Sequence, residues 1–163
     1  MKKLVLLVMG CYFLIDALVA QTKAPKGFKI NAGASLAIPF SNLEFSSIGA
    51  GLDVQTQYGL SNSLVATVGV GYTGLAGEGF YPYTAVIPIT LGLRYYPHPK
   101  VYAAGKFGGG IYTLSTTSIN YTAYTFGAAY VISKKLDAAL LYDGFVNEKT
   151  SFGYVSVRLG FTF

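Results

Sequence analysis

Seven charged residues sit within stretches that otherwise alternate small and apolar side chains: Lys29, Asp53, Arg94, Lys106, Asp137, Asp143 and Arg158. Gathered on one face, groups of both signs can neutralise one another, line a path for a charged solute, or do acid and base chemistry. Ionised groups in a confined interior are costly unless paired and hydrogen-bonded, so the mixture of signs predicts a structural ion-pair network. A narrow path for small or apolar solutes, lined by the same groups, is the alternative. Catalysis needs more than charge. Acyl-ester chemistry calls for a Ser or a water activated by a His within hydrogen-bond reach, and His98, the single histidine, stands between Pro97 and Pro99 as in a solvated turn. One His and one Cys among scattered carboxylates offer no metal cluster. The run Gly108-Gly109-Gly110 lacks the Lys and helix of a phosphate loop and reads as close strand packing. No cofactor, metal or catalytic site is expected.

Strand alternation must position the charged groups, and it recurs eight times from residue 28 onward. In the first segment Phe28, Ile30, Leu36 and Ile38 oppose Lys29, Asn31, Gly33 and Ser35, and in the second Ile48, Leu52 and Val54 oppose Gly49, Gly51, Asp53 and Gln55. The third and fourth set Leu64, Val68 and Val70, then Ile87, Ile89, Leu91 and Leu93, against Thr67, Gly69, Thr90, Gly92 and Arg94. The fifth and sixth place Val101, Phe107 and Phe126 opposite Tyr102, Lys106 and Gly127. The seventh and eighth place Leu136, Leu140, Val155, Val157 and Leu159 opposite Asp137, Asp143, Tyr154, Ser156 and Arg158. Every strongly charged strand residue falls on the second face. Strand direction puts Asp53, Lys106 and Arg158 near mid-barrel, Lys29, Arg94 and Asp137 near the end that carries both termini, and Asp143 toward the opposite end.

Only 12% of the 163 residues are charged, against roughly 25% in an average soluble protein. No stretch after residue 20 supplies the roughly 18 consecutive apolar residues of a membrane helix. The strongly apolar face therefore meets lipid, and the face of Gly, Ser, Thr, Ala and Tyr fills a narrow interior. The expected fold is all-β: an eight-stranded antiparallel up-and-down transmembrane barrel over residues 28–163, after a signal peptide at 1–20 and a short periplasmic segment at 21–27. Lys2 and Lys3 begin the leader, residues 4–18 form its apolar region, and Ala20-Gln21 is the cleavage point. Cys11, after Leu-Val-Met-Gly, offers a lipoprotein-type alternative. Loss of the leader takes the net charge of +5 to 5 − 2 + 1 = +4 by removing Lys2, Lys3 and Asp16. The lysines form no basic stripe, so nucleic acid is not an expected partner.

Short connections are expected at residues 60–63, 97–100 and 133–135, facing the periplasm with both mature termini. Longer outer loops alternate with them, the longest at residues 74–84. Its Leu75, Glu78, Phe80, Tyr81 and Tyr83 either form a contact edge or cap the barrel mouth. Aromatics close the apolar face at both rims, Phe28, Tyr58, Tyr95 and Phe163 at one and Phe40, Tyr72 and Tyr142 at the other, as interfacial girdles.

The run Val86-Ile87-Pro88-Ile89-Thr90-Leu91-Gly92-Leu93-Arg94-Tyr95-Tyr96-Pro97, the glycine-rich stretch at 102–112 and the closing Val157-Arg158-Leu159-Gly160-Phe161-Thr162-Phe163 resemble the outer-membrane β-barrel domain proteins of Bacteroidota, related in form to OmpX- and OmpW-like barrels. The resemblance covers about residues 27–163. It implies that Val157, Leu159, Phe161 and Phe163 form the signal read by the barrel-assembly machinery, with that machinery and periplasmic chaperones as transient partners. The expected product is a monomeric, non-enzymatic barrel in the cell outer membrane, in contact with its lipid and lipopolysaccharide, with an envelope-structural or surface-interaction role. A narrow, porin-like channel is the second reading and a lipid-modifying enzyme the third.

Overall fold

Period-two alternation becomes eight antiparallel strands: β1 (Phe28–Phe40), β2 (Ser46–Gly59), β3 (Leu64–Gly77), β4 (Thr84–His98), β5 (Val101–Leu114), β6 (Thr117–Val131), β7 (Leu136–Val146) and β8 (Ser151–Thr162). This is a computed structural model, and it describes residues 27–40, 46–77, 84–114, 117–148 and 150–163. Each strand pairs with its sequence neighbours, and β8 returns to β1, so the sheet closes with no free edge. The closing seam runs from Asn31 opposite Thr162 to Phe40 opposite Gly153. Among the described residues no helix is long and apolar enough to cross a membrane. The proposed leader, including Cys11, lies outside the described residues.

Closure sorts the side chains by parity. Leu36, Leu52, Ile89, Leu91, Phe107, Phe126, Leu140 and Val157 lie exposed on the outer wall, whereas Asn31, Gln55, Thr67, Arg94, Tyr102, Ala129, Asp137, Ser156 and Arg158 are buried in the lumen. Pro88 sits within β4 although it has no N–H to donate. The β3–β4 ladder correspondingly jumps from Val70 opposite Ile89 to Thr73 opposite Val86, and the Pro88 ring lies against Gly71.

Strand ends depart from the expected boundaries. β4 continues through His98, leaving Pro99-Lys100 as the turn, and the register slips between Tyr95 and His98. The His98 ring then accepts a hydrogen bond from the Lys100 amide through Nδ1, 3.2 Å away. β3 runs to Gly77, so Gly74 and Leu75 belong to the wall rather than to an outer loop, with Leu75 fully buried; Glu78, Phe80, Tyr81 and Tyr83 lie outside the described residues. β5 and β6 are separated only by residues 115–116, so the connection there is two residues long rather than one of the longer ones expected. At the far end the links are 41–45, 78–83, 115–116 and 147–150; at the terminal end they are 60–63, 99–100 and 132–135. Loop length therefore distinguishes the two ends only at the first and second far-end links. The cause is that hydrogen-bonded pairing continues after the apolar alternation has stopped.

Candidate functional site in the barrel lumen

Four lumen-facing positions lie side by side across the closing seam. Asp53 on β2 is opposite Gly33 on β1, Gly33 is opposite Gly160 on β8, and Gly160 is opposite Asp137 on β7. The two glycines leave a trough between the carboxylates, and the guanidinium of Arg158 lies in it. A Cβ added at Gly33 would fall 2.3 Å from Nη2, and one at Gly160 would fall 2.3 Å from Nη1. From there Nε and Nη2 grip Asp53 at 2.6 and 2.7 Å, a bidentate fork. Nη2 also donates to Asn31 Oδ1 at 2.6 Å, and Nη1 reaches Asp137 at 3.4 Å. Around this centre Tyr102 donates to Asp137 at 2.8 Å, Asn31 to Asp137 at 3.2 Å and to Thr162 at 2.9 Å, and Gln55 to Asn31 and Asp53 at 3.2 and 3.3 Å. One arginine thus links the layer of Asp53 to that of Asp137.

The remaining lumen charges are held differently. Arg94 stands 4.6 Å from the centre of the Tyr102 ring, a cation–π contact. Asp143 accepts from Thr125 at 2.6 Å and from Ser156 at 2.9 Å. Among the described residues, the ion pairs within 4.0 Å are those of Arg158 with Asp53 and Asp137, so Lys29, Arg94, Lys106 and Asp143 are not brought into a carboxylate–cation contact. Lys106 and Asp143 instead line a polar cavity of about 60 Å³ with Asp53, Thr90, Ser156 and Arg158, room for a few waters. A gap of about 10 Å³ beside Arg94, Tyr102, Lys106 and Arg158 lies between that cavity and the mouth at the terminal end.

Toward the far end the lumen holds packed aromatic side chains. Phe145 stacks on Phe152 with centroids 5.0 Å apart, Tyr121 and Tyr112 meet Phe152 at 5.2 and 5.0 Å, and Tyr154 lies 5.8 Å from Phe145. Leu75, Val86, Ala37 and Ala123 complete this layer. Tyr154 also donates to Thr73 at 3.2 Å, joining the aromatic layer to the polar one. A smaller layer of Val65, Tyr96, Tyr102, Ala104, Ala129, Ala139 and Leu141 fills the side of the barrel away from the seam, nearer the termini. Sequence reading placed none of Leu75, Tyr121, Phe145 and Phe152 in the lumen. Their signal was a large apolar residue on the lumen parity at the far end of a strand.

On the outer wall, Phe28, Tyr58, Tyr72, Tyr95 and Phe163 are exposed at the rims, and Tyr142 is half-buried beside Phe126 at 5.1 Å. The side chain of Phe40 lies outside the described residues. Val157, Leu159, Phe161 and Phe163 all face outward, Phe161 and Phe163 edge-to-face at 5.1 Å. The Phe163 amide donates to the Ile30 carbonyl at 2.9 Å, so the last residue is stitched into the closing seam. No group of three or more His, Cys, Asp or Glu is placed to share a metal among the described residues.

No protein-family model matches the chain, and no curated protein matches it. Solved structures do. Ail, the attachment invasion locus protein of Yersinia pestis, superposes with a TM-score of 0.62 at 15% identity, over 85% of this chain and 100% of that one. The N-terminal β-barrel domain of Pseudomonas aeruginosa OprF gives 0.59 at 12% identity over 85% and 98%. Neisserial surface protein A gives 0.54 at 19% identity over 85% and 98%. At these identities the likeness is one of fold: the chain is an all-β, eight-stranded closed antiparallel barrel of the kind found in small outer-membrane proteins.

Proposed function

We propose that the protein is an integral outer-membrane barrel of the Bacteroidota, OmpX/OmpW-like type, non-enzymatic and monomeric, whose lumen is plugged and whose role is envelope-structural or surface-interacting. One observation carries this reading: a closed barrel with its large apolar side chains outside and its charges inside. Leu52 and Leu91 are 67% and 65% exposed while Arg158 is 3% exposed, an inversion that only a lipid surround makes favourable. β7 has 11 residues and the other strands 12 to 15, so all but β7 exceed the roughly 9–11 needed to cross, which leaves strand ends to project beyond the bilayer. The Arg158 network and the aromatic layer support the plugged lumen over the channel reading. With its even strand number, the barrel has both mature termini at one end, the periplasmic one in this reading. Phe163 is then available to the assembly machinery, and the outer wall meets lipid and lipopolysaccharide.

Cell fractionation followed by gel electrophoresis with and without boiling tests this directly. The protein belongs in the outer-membrane fraction and migrates faster unboiled, because the closed barrel resists the detergent. Recovery in a soluble fraction with identical migration in both lanes contradicts the proposal.

A further inference from the structure

The mouth beside the termini holds a cavity of about 420 Å³ whose lining includes the cations Lys29, Arg94, Lys100, Lys134 and Lys135 among apolar and aromatic side chains; the Lys135 ammonium itself lies 5.7 Å from the centre of the outward-facing Phe161 ring. Its single carboxylate, Asp137, is already committed to Arg158, Tyr102 and Asn31. The cations arrive from separate elements: Lys29 from β1, Arg94 from β4, Lys100 from the β4–β5 turn, and Lys134 and Lys135 from the β6–β7 turn. Lys29, Arg94, Lys100 and Lys134 on one concavity repel unless an anion joins them, and a cleft strengthens the field they make. Two buried donors in the same lining, Gln57 Nε2 and Arg94 Nε, have no protein acceptor among the described residues. Buried polar groups are otherwise almost always satisfied. The Gln57 side chain lies opposite Lys29 across the β1–β2 pair, so spare donor capacity and spare charge occur together.

We propose that this mouth binds a multivalent phosphate group, taken either from a soluble phosphate compound or from a phospholipid headgroup. Arg94 supplies the planar fork that suits phosphate, the lysines supply the surrounding charge, and Tyr96, Tyr102 and Pro99 give the cavity an apolar margin for whatever bears the phosphate. The volume lies within the range of small-molecule sites. The site does not depend on the far end of the lumen being sealed.

The test uses the full chain refolded in zwitterionic micelles and titrated with inorganic pyrophosphate by calorimetry. Saturable one-to-one binding that weakens as salt rises is expected. The rim variant Lys29→Gln/Lys100→Gln/Lys134→Gln, which leaves the buried layer intact, binds at least tenfold more weakly. Arg94→Gln, accepted only if its gel shift on boiling matches the parent, does the same. Repeating the titration in nanodiscs of phosphatidylcholine with and without phosphatidylglycerol separates the sources. Loss of pyrophosphate binding in the anionic discs assigns the site to headgroups, and unchanged binding assigns it to soluble phosphates. Absence of saturable binding, or equal affinity in the rim variant, overturns the proposal.

Discussion

Replacing Arg158 by Met removes the charge while keeping much of the volume, and it isolates what the seam network contributes. Four polar contacts disappear: two to Asp53 at 2.6 and 2.7 Å, one to Asn31 at 2.6 Å and one to Asp137 at 3.4 Å. The two carboxylates are left unequal. Asp137 keeps Tyr102 and Asn31 as donors, whereas among the described residues Asp53 keeps only the longer contact from Gln55 at 3.3 Å. Asp53 is therefore the group whose desolvation goes uncompensated, and removing one partner from a buried pair costs about 3–5 kcal/mol. Neutralising the stranded carboxylate recovers part of that loss. Arg158→Met combined with Asp53→Asn should be less destabilised than the sum of the two single variants by about 1–3 kcal/mol. The chain has no tryptophan, so urea unfolding in lipid vesicles is followed by far-UV circular dichroism and by the gel shift on boiling. An Arg158→Met variant within about 1 kcal/mol of the parent, or additive losses in the double variant, would refute the network as described.

The glycine trough gives a sharper geometric test. Gly33→Ala puts a methyl 2.3 Å from Arg158 Nη2, whereas Gly105→Ala meets nothing within 4 Å, so the first should lose about 1–3 kcal/mol in the same unfolding assay and the second about 0.5 or less. Thr125→Val combined with Ser156→Ala strips Asp143 of both hydroxyl donors, and a loss of about 1.5–3 kcal/mol for each charged hydrogen bond sets the scale, read from the shift of the urea midpoint. Phe163→Ala removes an exposed rim aromatic and leaves the lumen alone; pulse-labelling in cells should show slower appearance of the heat-modifiable form with an unchanged urea midpoint once folded, and a normal rate would argue against Phe163 as the assembly signal.

Parity was legible in the sequence because a strand has a period of two and the two environments differ so strongly: Lys29, Asp53 and Arg94 could not share a face with Phe28, Leu52 and Tyr95. Strand limits were not. The apolar alternation ends before the pairing does: Thr113 and Ser118 still pair beyond it, so β5 and β6 run on to Leu114 and Thr117. Leu75 falls in the expected loop for the same reason, since the alternation stops at Thr73 while the ladders to β2 and β4 continue through Gly74 and Leu75. The contacts of Arg158 were beyond sequence reading. Its two aspartates are 105 and 21 residues away, and only the register that sets Gly33 against Gly160 opens the trough between them. The far aromatic layer was hidden differently, because Tyr121, Phe145 and Phe152 are good strand formers whose parity alone does not say that three strands converge there.

Recording current across planar bilayers containing the purified full chain tests the central claim, a lipid-embedded barrel with a closed lumen. With the Arg158 network at the seam and Phe145, Phe152, Tyr121 and Tyr154 packed toward the far end, the inserted protein should give no stable unitary steps at moderate voltage, while its gel shift confirms that it is folded. Reproducible single-channel openings from folded protein would contradict the account.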